Sequence, residues 1–296
     1  MYAEASTILS QMGRYAKQRT ARTLRGHEGL LAHRNVRVRL PRYGFSSIIP
    51  VIVGRGCHPR KPPWALPSET AVTQERVLGL FVTFEGPEGC GKTTQLRILA
   101  TYLRDQGCDV LTTREPGGTP ISERVRAIVL DPAHTKMEPT TEFLLFSAAR
   151  AQHVAEVIRP HLEAGGVVLC DRFADSSLAY QGYGYGLDLE ARRAITHFAT
   201  GGLVPDLTFL LDLPVEVGLR RKAGGRGDAW NRMERKQVDY HERVRAGYLA
   251  MAADEPDRWV LIDATDDFPS VQTAIRVPIM AALADRGLIV EDSTQG

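Results

Sequence analysis

Cysteine is scarce, long apolar runs are missing, and the first quarter of the chain is almost without acid. The four cysteines, Cys57, Cys90, Cys108 and Cys170, are widely separated and form no CxxC pair. That spacing favours reduced thiols over a disulfide framework. No apolar stretch reaches the roughly 20 residues needed to cross a bilayer, so no membrane partner is expected. Residues 1–79 hold 13 Lys or Arg against 4 Asp or Glu, and the remainder holds 24 against 31. The formal charge of +2 therefore conceals a basic extension on a mildly acidic body. This division argues against a surface built throughout for nucleic acid. What is present suits a soluble globular protein: 43% hydrophobic residues for a core and 24% charged residues for a solvated surface. A length of 296 residues fits one large domain or two modest ones.

Residues 1–78 carry no motif that implies chemistry. Met1 to Arg42 is rich in arginine, with room for a short helix around Thr7–Thr23. A brief apolar stretch, Ile48–Val53, runs into Gly54-Arg55-Gly56 and Pro59-Arg60-Lys61-Pro62-Pro63, which interrupt regular structure. Three readings stand: a targeting presequence, a tail for nucleic acid or anionic surfaces, and a disordered extension, such as too early a start codon would add. The Gly/Pro-rich half fits a presequence poorly. The expectation is a disordered extension, because the segment has no evident way to offset the entropy of ordering itself. The folded body is expected over residues 79–287, with a lid near 220–232 and a short tail at 288–296.

Gly86-Pro87-Glu88-Gly89-Cys90-Gly91-Lys92-Thr93-Thr94 matches the phosphate-loop pattern GxxxxGK[ST]. An apolar run, Leu80–Phe84, precedes it, and an amphipathic segment from about Gln95 follows. Glycines let backbone N–H groups turn towards phosphate oxygens, and the following helix adds its positive end. A bare glycine turn is the bland alternative, but the whole motif in a strand–loop–helix context favours a nucleoside triphosphate. These nine residues form the expected triphosphate-binding set. Lys92 should reach the terminal phosphates, and Thr93 should hold Mg²⁺ directly or through water.

From residue 80 onwards strand and helix patterns alternate, which predicts an α/β fold. Predicted strands are Leu80–Phe84, Asp109–Thr113, Gly166–Cys170, Leu207–Leu211 and Trp259–Ile262. Predicted helices are Gln95–Gln106, Ile121–Leu130, Thr140–Pro160, Val215–Lys222, Met233–Ala252 and Val271–Leu283, the last disturbed by Pro278.

Open α/β folds bind ligands along the C-terminal edge of the strands, which singles out the residues that follow them. Arg114 and Glu115 end the second strand and are candidates to line an acceptor pocket, against the alternative of a surface turn. Phe146 and Arg150 lie four residues apart on one helical face, where a ring and a guanidinium can grip a base. The same spacing also describes a core phenylalanine beside an arginine that reaches solvent. Asp171 ends the third strand, where a Walker B-type acid orients metal-bound water, and Arg172 projects towards the phosphates. Arg220, Arg221, Lys222 and Arg226 flank Gly224-Gly225 and Gly227, a basic lid candidate or else a solvated basic loop.

Taken together, these residues resemble the thymidylate kinases, especially the bacterial-type branch. The resemblance rests on Phe84-Glu85-Gly86 through Thr94, on Thr113-Arg114-Glu115-Pro116-Gly117-Gly118-Thr119, and on Leu145-Phe146 with Arg150. It continues in Asp171-Arg172-Phe173 with Ser176-Ser177 and Ala179-Tyr180-Gln181-Gly182, and in the arginine-rich lid. It covers about residues 79–285 and implies a P-loop three-layer sandwich with a five-stranded parallel sheet flanked by helices.

The implied reaction is phosphoryl transfer from ATP, held by Gly86 to Thr94, to dTMP with Mg²⁺, in a cytoplasmic homodimer. Glu88 would help to place the acceptor sugar. Phe146 would stack on thymine and Arg150 would bond its edge. Arg172 would bridge donor and acceptor phosphates beside a metal site at Thr93 and Asp171, and Arg114 would lie near the acceptor phosphate. Ser177 and Tyr180 fall where the base and the sugar 2′ position are read, with Gln181 a weaker pocket candidate. Position 89 is Gly, so the loop offers no arginine, and Arg221 and Arg226 in the lid would supply the charge instead. Asn231 stands where an acid often precedes the equivalent of Arg232, which puts an acid–arginine latch there in doubt. The alternatives are a kinase for another nucleoside monophosphate and an ATP-binding regulatory module without transfer activity.

Overall fold

The computed structural model describes residues 79–224 and 231–289. The expected N-terminal extension, Arg226 and nearly all of the expected tail lie outside the described residues.

Five parallel strands form one sheet: β1 (Leu80–Glu85), β2 (Val110–Arg114), β3 (Val167–Asp171), β4 (Leu207–Asp212) and β5 (Trp259–Asp263). Their order is β2-β3-β1-β4-β5, so the chain leaves the centre to one edge and returns before building the other half. All six residues of β1 are buried, as expected of a central strand covered on both faces. The expected α/β architecture is therefore present, with each predicted strand within one residue of its observed ends.

Side-chain alternation along β1 sorts its residues into two cores. Leu80, Val82 and Phe84 pack with Leu96, Leu99 and Leu103 of α1 (Lys92–Asp105). Val271, Ile275 and Ile279 of the C-terminal helix α9 (Phe268–Asp285) close the same layer. Leu99 has no exposure, and its truncation to Ala would cost on the order of 2–5 kcal/mol. α9 starts one turn before the predicted Val271 because the Asp267 carboxylate caps it, accepting the Ser270 N–H at 2.8 Å. It continues through Pro278 without a break.

On the opposite face Phe81, Val168 and Phe173 pack with Val154, Ile158 and Leu162. The last three come from a continuous helical run: α3 (Pro139–His153), a π turn (Val154–Ile158) and α4 (Arg159–Glu163). Before it comes α2 (Pro120–Leu130), capped by Thr119, whose hydroxyl accepts the Ser122 N–H at 3.1 Å. The Ser122 hydroxyl donates to the Ala149 carbonyl at 2.8 Å, pinning α2 to α3.

After β3 come the short helix α5 (Ala174–Ser177) and a second π turn (Leu178–Tyr183). Next is α6 (Leu189–Thr200), which has no counterpart among the predicted helices. Ala191, Ala194, Ile195 and Phe198 recur at helical spacing in the sequence, but the stripe is not a core face: Arg192 and Thr200 are the buried residues, and Phe198 is 88% exposed. Two helices complete the fold, α7 (Val215–Ala223) and α8 (Val238–Asp254). The predicted start of α8 at Met233 is corrected to Val238. The Asn231 side chain accepts the N–H groups of Met233 (2.9 Å) and Glu234 (3.1 Å) in a separate turn.

Candidate active site

Parallel register brings the ends of β1, β2 and β3 to one edge: Phe84 is level with Asp171, and Arg114 is level with Asp171 from the other side. The phosphate loop leaves β1 at this edge. It lies so close to α7 that a Cβ on Gly89 would sit 2.1 Å from the Gly218 carbonyl oxygen, and one on Gly218 2.1 Å from that of Glu88. Neither position admits a side chain. Lys92, 7% exposed, curls under the loop and donates to the carbonyls of Pro87 (2.9 Å) and Gly86 (3.2 Å). The Thr93 hydroxyl donates to the Asp171 carboxylate, which brings both expected metal ligands together.

Arg172 is the only non-glycine residue with positive φ among the described residues, at 68°. A left-handed backbone costs on the order of 1–3 kcal/mol, and its surroundings must hold it there. Its Nη2 donates to Glu88 Oε1 (2.8 Å) and to the Tyr180 hydroxyl (3.0 Å). Its Nη1 reaches the Gly86 carbonyl (3.1 Å), the Tyr248 hydroxyl (3.1 Å) and the Ser176 hydroxyl (3.3 Å). Tyr180 also donates to Glu88 Oε1 at 2.7 Å. Burial works against the Glu88 charge, but Arg172 and then Lys92 overcome it and hold the carboxyl at about 2.

A cavity of about 780 Å³ runs from the phosphate loop to the side chains of α3, within the size range of ligand pockets. At its far end Arg150 is 2% exposed. Its Nε donates to Glu115 Oε2 (2.7 Å), and its Nη2 to the Ser177 hydroxyl (2.8 Å) and the Phe173 carbonyl (3.2 Å). Glu115 is braced in turn by His153, whose Nδ1 lies 3.2 Å from Oε1 and whose Nε2 lies 2.7 Å from the Thr113 hydroxyl. A Cβ on Gly118 would meet His153 Nε2 at 2.5 Å, so this turn also requires glycine. Arg150 Nη1 is buried with no hydrogen-bond partner, although the other two guanidinium nitrogens are satisfied. Half-buried Phe146 lines the same cavity. Gln181 lines it too, but its amide donates to Glu142 at 2.6 Å, which makes it a supporting residue for that buried acid.

Two further guanidiniums face the cavity. Arg114 pairs with Glu123 at 3.0 Å, and Arg126 of α2 donates to the Pro116 carbonyl at 2.8 Å. Burial and then the like charge of Arg114 push Arg126 below the usual arginine range, a setting that an anion would relieve.

At the lid, Arg221 lines the cavity and donates to the Ala264 carbonyl (2.9 Å) in the turn after β5. Arg232 finds its acid elsewhere in the chain: its Nη2 lies 2.6 Å from Oε2 of fully buried Glu142, while its Nε donates to the Val129 carbonyl. A latch therefore exists despite Asn231, with the acid supplied by α3. The structure thus assembles Glu88, Lys92, Thr93, Arg114, Phe146, Arg150, Asp171, Arg172, Ser177, Tyr180, Gln181 and Arg221 around one cavity.

Sequence reasoning missed Glu85, Arg126, Glu142, His153 and Tyr248. Arg126 carries a readable signal, since it lies three residues from Glu123 on a predicted helix and so shares its face. The others are isolated polar residues in apolar surroundings, and only tertiary structure pairs them.

The family model described as "Thymidylate kinase" matches residues 84–275. The chain is 56% identical over 210 residues to a thymidylate kinase of Herpetosiphon aurantiacus, covering 63% of this chain and 89% of that one. It is 54% identical over 209 residues to one of Deinococcus radiodurans, covering 71% and 98%. Among solved structures, a thymidylate kinase from Ehrlichia chaffeensis superposes with a TM-score of 0.54 at 31% identity, covering 68% of this chain and 98% of that one. The phosphate loop, the arginine after β3 and the cavity between them fall inside the matched region. The chain belongs to the thymidylate kinase family, in its bacterial-type branch, and is a phosphoryl-transferring enzyme.

Proposed function

We propose that this enzyme passes the γ-phosphoryl group of ATP to dTMP, giving ADP and dTDP. The observation that carries the reading is the cavity that runs from the phosphate loop past Arg172 to Phe146 and Arg150. A guanidinium at that end suits a carbonyl oxygen on the edge of thymine. Phe146 stacks on the base, and Glu115 with Ser177 fixes the plane of the guanidinium that reads it. Tyr180 and Glu88 face the sugar.

Arg172, Arg114 and Arg126 collect the acceptor phosphate, while Lys92, Arg221 and Arg226 attend the donor phosphates. Charge stabilisation and alignment supply most of the catalysis in such a transfer. The attacking oxygen of dTMP is already largely anionic near neutral pH, because its second pKa is about 6, so no general base is required.

No cluster of three or more His, Cys, Asp or Glu among the described residues could hold a metal on side chains alone. The adjoining Thr93 hydroxyl and Asp171 carboxylate nevertheless fit Mg²⁺, which takes hard oxygens and completes its shell with phosphate and water. Held there, Mg²⁺ would neutralise charge on the donor phosphates.

No helix among the described residues is long and apolar enough to cross a membrane. We place the reaction in the cytoplasm and the enzyme in a homodimer, in keeping with its family. Monophosphate-dependent ADP release by the full chain, compared across dTMP, dUMP, dCMP, dGMP and AMP at fixed ATP and Mg²⁺, tests the proposal. It requires dTMP to give the highest kcat/KM; a higher value for any other acceptor would overturn it.

A further inference from the structure

Arg172 is held on one side by Glu88 and on the other by a group of side chains that no phosphate-loop or arginine motif announces. Glu85, the last residue of β1, is fully buried on the sheet face opposite Phe84. Its Oε1 accepts the Phe173 N–H at 2.7 Å. Its Oε2 accepts the Ser176 hydroxyl at 2.6 Å and the Tyr248 hydroxyl at 2.8 Å. Those two hydroxyl oxygens lie 2.8 Å apart, and both accept from Arg172 Nη1, at 3.3 and 3.1 Å.

The direction of these hydrogen bonds matters. When Glu85 is ionised it takes both hydroxyl protons, and the oxygen lone pairs of Ser176 and Tyr248 face the guanidinium. One buried carboxylate therefore grips the Arg172 bend twice, through the following backbone N–H and through the side chain. This is the support that a left-handed arginine needs. Burial and the neighbouring Glu85 charge push the Tyr248 phenol well above its ordinary value, so it remains a donor at any working pH.

We infer that Tyr248, together with Ser176 and braced by Glu85, is a positioning residue that aims Arg172 at the phosphates. The inference rests on the reading of Arg172 as the group that contacts the acceptor phosphate. Tyr248 comes from α8, the helix that follows the lid segment, so the aim of a residue at the end of β3 is set by an element 76 residues away. The Tyr248 ring itself packs in the core with Tyr180 and Trp259, and a phenylalanine preserves that packing.

The test is a double-mutant cycle on the full chain, reading dTMP affinity by titration calorimetry, so that inactive variants still report. Tyr248→Phe should weaken dTMP by about tenfold or more when Arg172 is present, as expected for loss of one hydrogen bond to a charged group. With Arg172→Ala in place, the same change should cost less than about twofold, since nothing is left to aim. Ser176→Ala should follow the same pattern. Equal losses in both backgrounds, or a loss below about twofold in the wild-type background, would overturn the inference. If Arg172→Ala alone leaves dTMP binding intact, the contact assigned to Arg172 fails as well, and this outcome is separate from the first two.

Discussion

Glu85 and Glu88 bracket the first turn of the phosphate loop and hold Arg172 from opposite sides. Glu88 accepts from the guanidinium directly at 2.8 Å, whereas Glu85 reaches it only through Ser176 and Tyr248. The difference in partners sets their acidities apart. Burial, and then the nearby Asp175 charge, pushes Glu85 up to about 7, with only part of the shift relieved by Arg172. For Glu88 burial is outweighed by Arg172 and Lys92, and the carboxyl is held at about 2. Two acids three residues apart thus respond to pH in opposite senses.

The consequence for stability follows from linkage. Glu85 has a folded value above the ordinary 4.5, so its contribution is whole below pH 4.5 and is lost as pH rises through about 7. Wild type should therefore lose stability relative to Glu85→Gln across that window, by up to about 3 kcal/mol. Glu88 has a folded value below 4.5, so its contribution is present above pH 4.5 and lost as pH falls towards 2. The deficit of Glu88→Gln should be widest near neutral pH and should close in acid. Urea unfolding of the three proteins from pH 3 to 8 checks both signs. Parallel curves would refute the assignment.

Lys92 touches the loop through two carbonyls and offers the phosphates a buried ammonium. Its hydrogen bonds to the loop, made by a charged group, are worth about 1.5–3 kcal/mol each, but they are offset by the cost of burying the ammonium, so their net effect on stability is small. Its role in neutralising transferring phosphate is worth more, since losing one such charge slows turnover by about 10²–10³. Lys92→Ala should therefore cut dTMP-dependent ADP release by that factor and leave the urea midpoint nearly unchanged. A matched fall in both would mark Lys92 as structural.

The parts of the fold and site that can be read from sequence are those in which chemistry and local pattern coincide. Leu96, Leu99 and Leu103 announce α1 by spacing, and Gly86 to Thr94 announces the loop by glycine, lysine and threonine in order. Asp171 and Arg172 stand out because strand ends are where such sheets bind ligands. The helix α6 is missing from the predicted set although Ala191, Ala194, Ile195 and Phe198 recur at helical spacing; its stripe faces outwards, with Phe198 exposed. The two π turns escape because one extra residue per turn leaves no compositional trace. Glu85 and Tyr248 look like lone polar residues among apolar neighbours and His153 like one more polar residue of a helix, and the partners that give them purpose lie 38 to 163 residues away. Only packing reveals such pairs.

Phe146 and Arg150 should separate acceptor binding from donor binding. Base–aromatic stacking contributes roughly 1–3 kcal/mol, so Phe146→Ala should raise the KM for dTMP about tenfold or more, while that for ATP changes less than about twofold. Arg150→Lys removes the Nε bond to Glu115 and the forked geometry that leaves Nη1 free. A lysine cannot satisfy Glu115, Ser177 and a base edge together, so a similar acceptor-selective loss is expected. Steady-state kinetics with each substrate varied in turn decides the matter. Equal losses for ATP and dTMP would contradict the placement of both residues.

Arg232 and Glu142 join the end of the lid segment to the start of α3 through a buried ion pair. Glu142 also accepts from Gln181 at 2.6 Å and Tyr185 at 3.2 Å, so the pair underlies one wall of the cavity. Breaking such a pair from one side leaves a buried charge uncompensated and costs about 3–5 kcal/mol, whereas replacing both partners by neutral groups of similar shape is often nearly neutral. Arg232→Ala should therefore lower the urea midpoint strongly, and Glu142→Gln combined with Arg232→Met should recover most of the loss. The double variant should also keep a KM for dTMP close to wild type, because the amide oxygen that replaces the Glu142 carboxylate can still accept from Gln181. If the double variant is as unstable as Arg232→Ala, the cost lies in the lost contact with the Val129 carbonyl rather than in the ion pair, and the latch is a backbone tether.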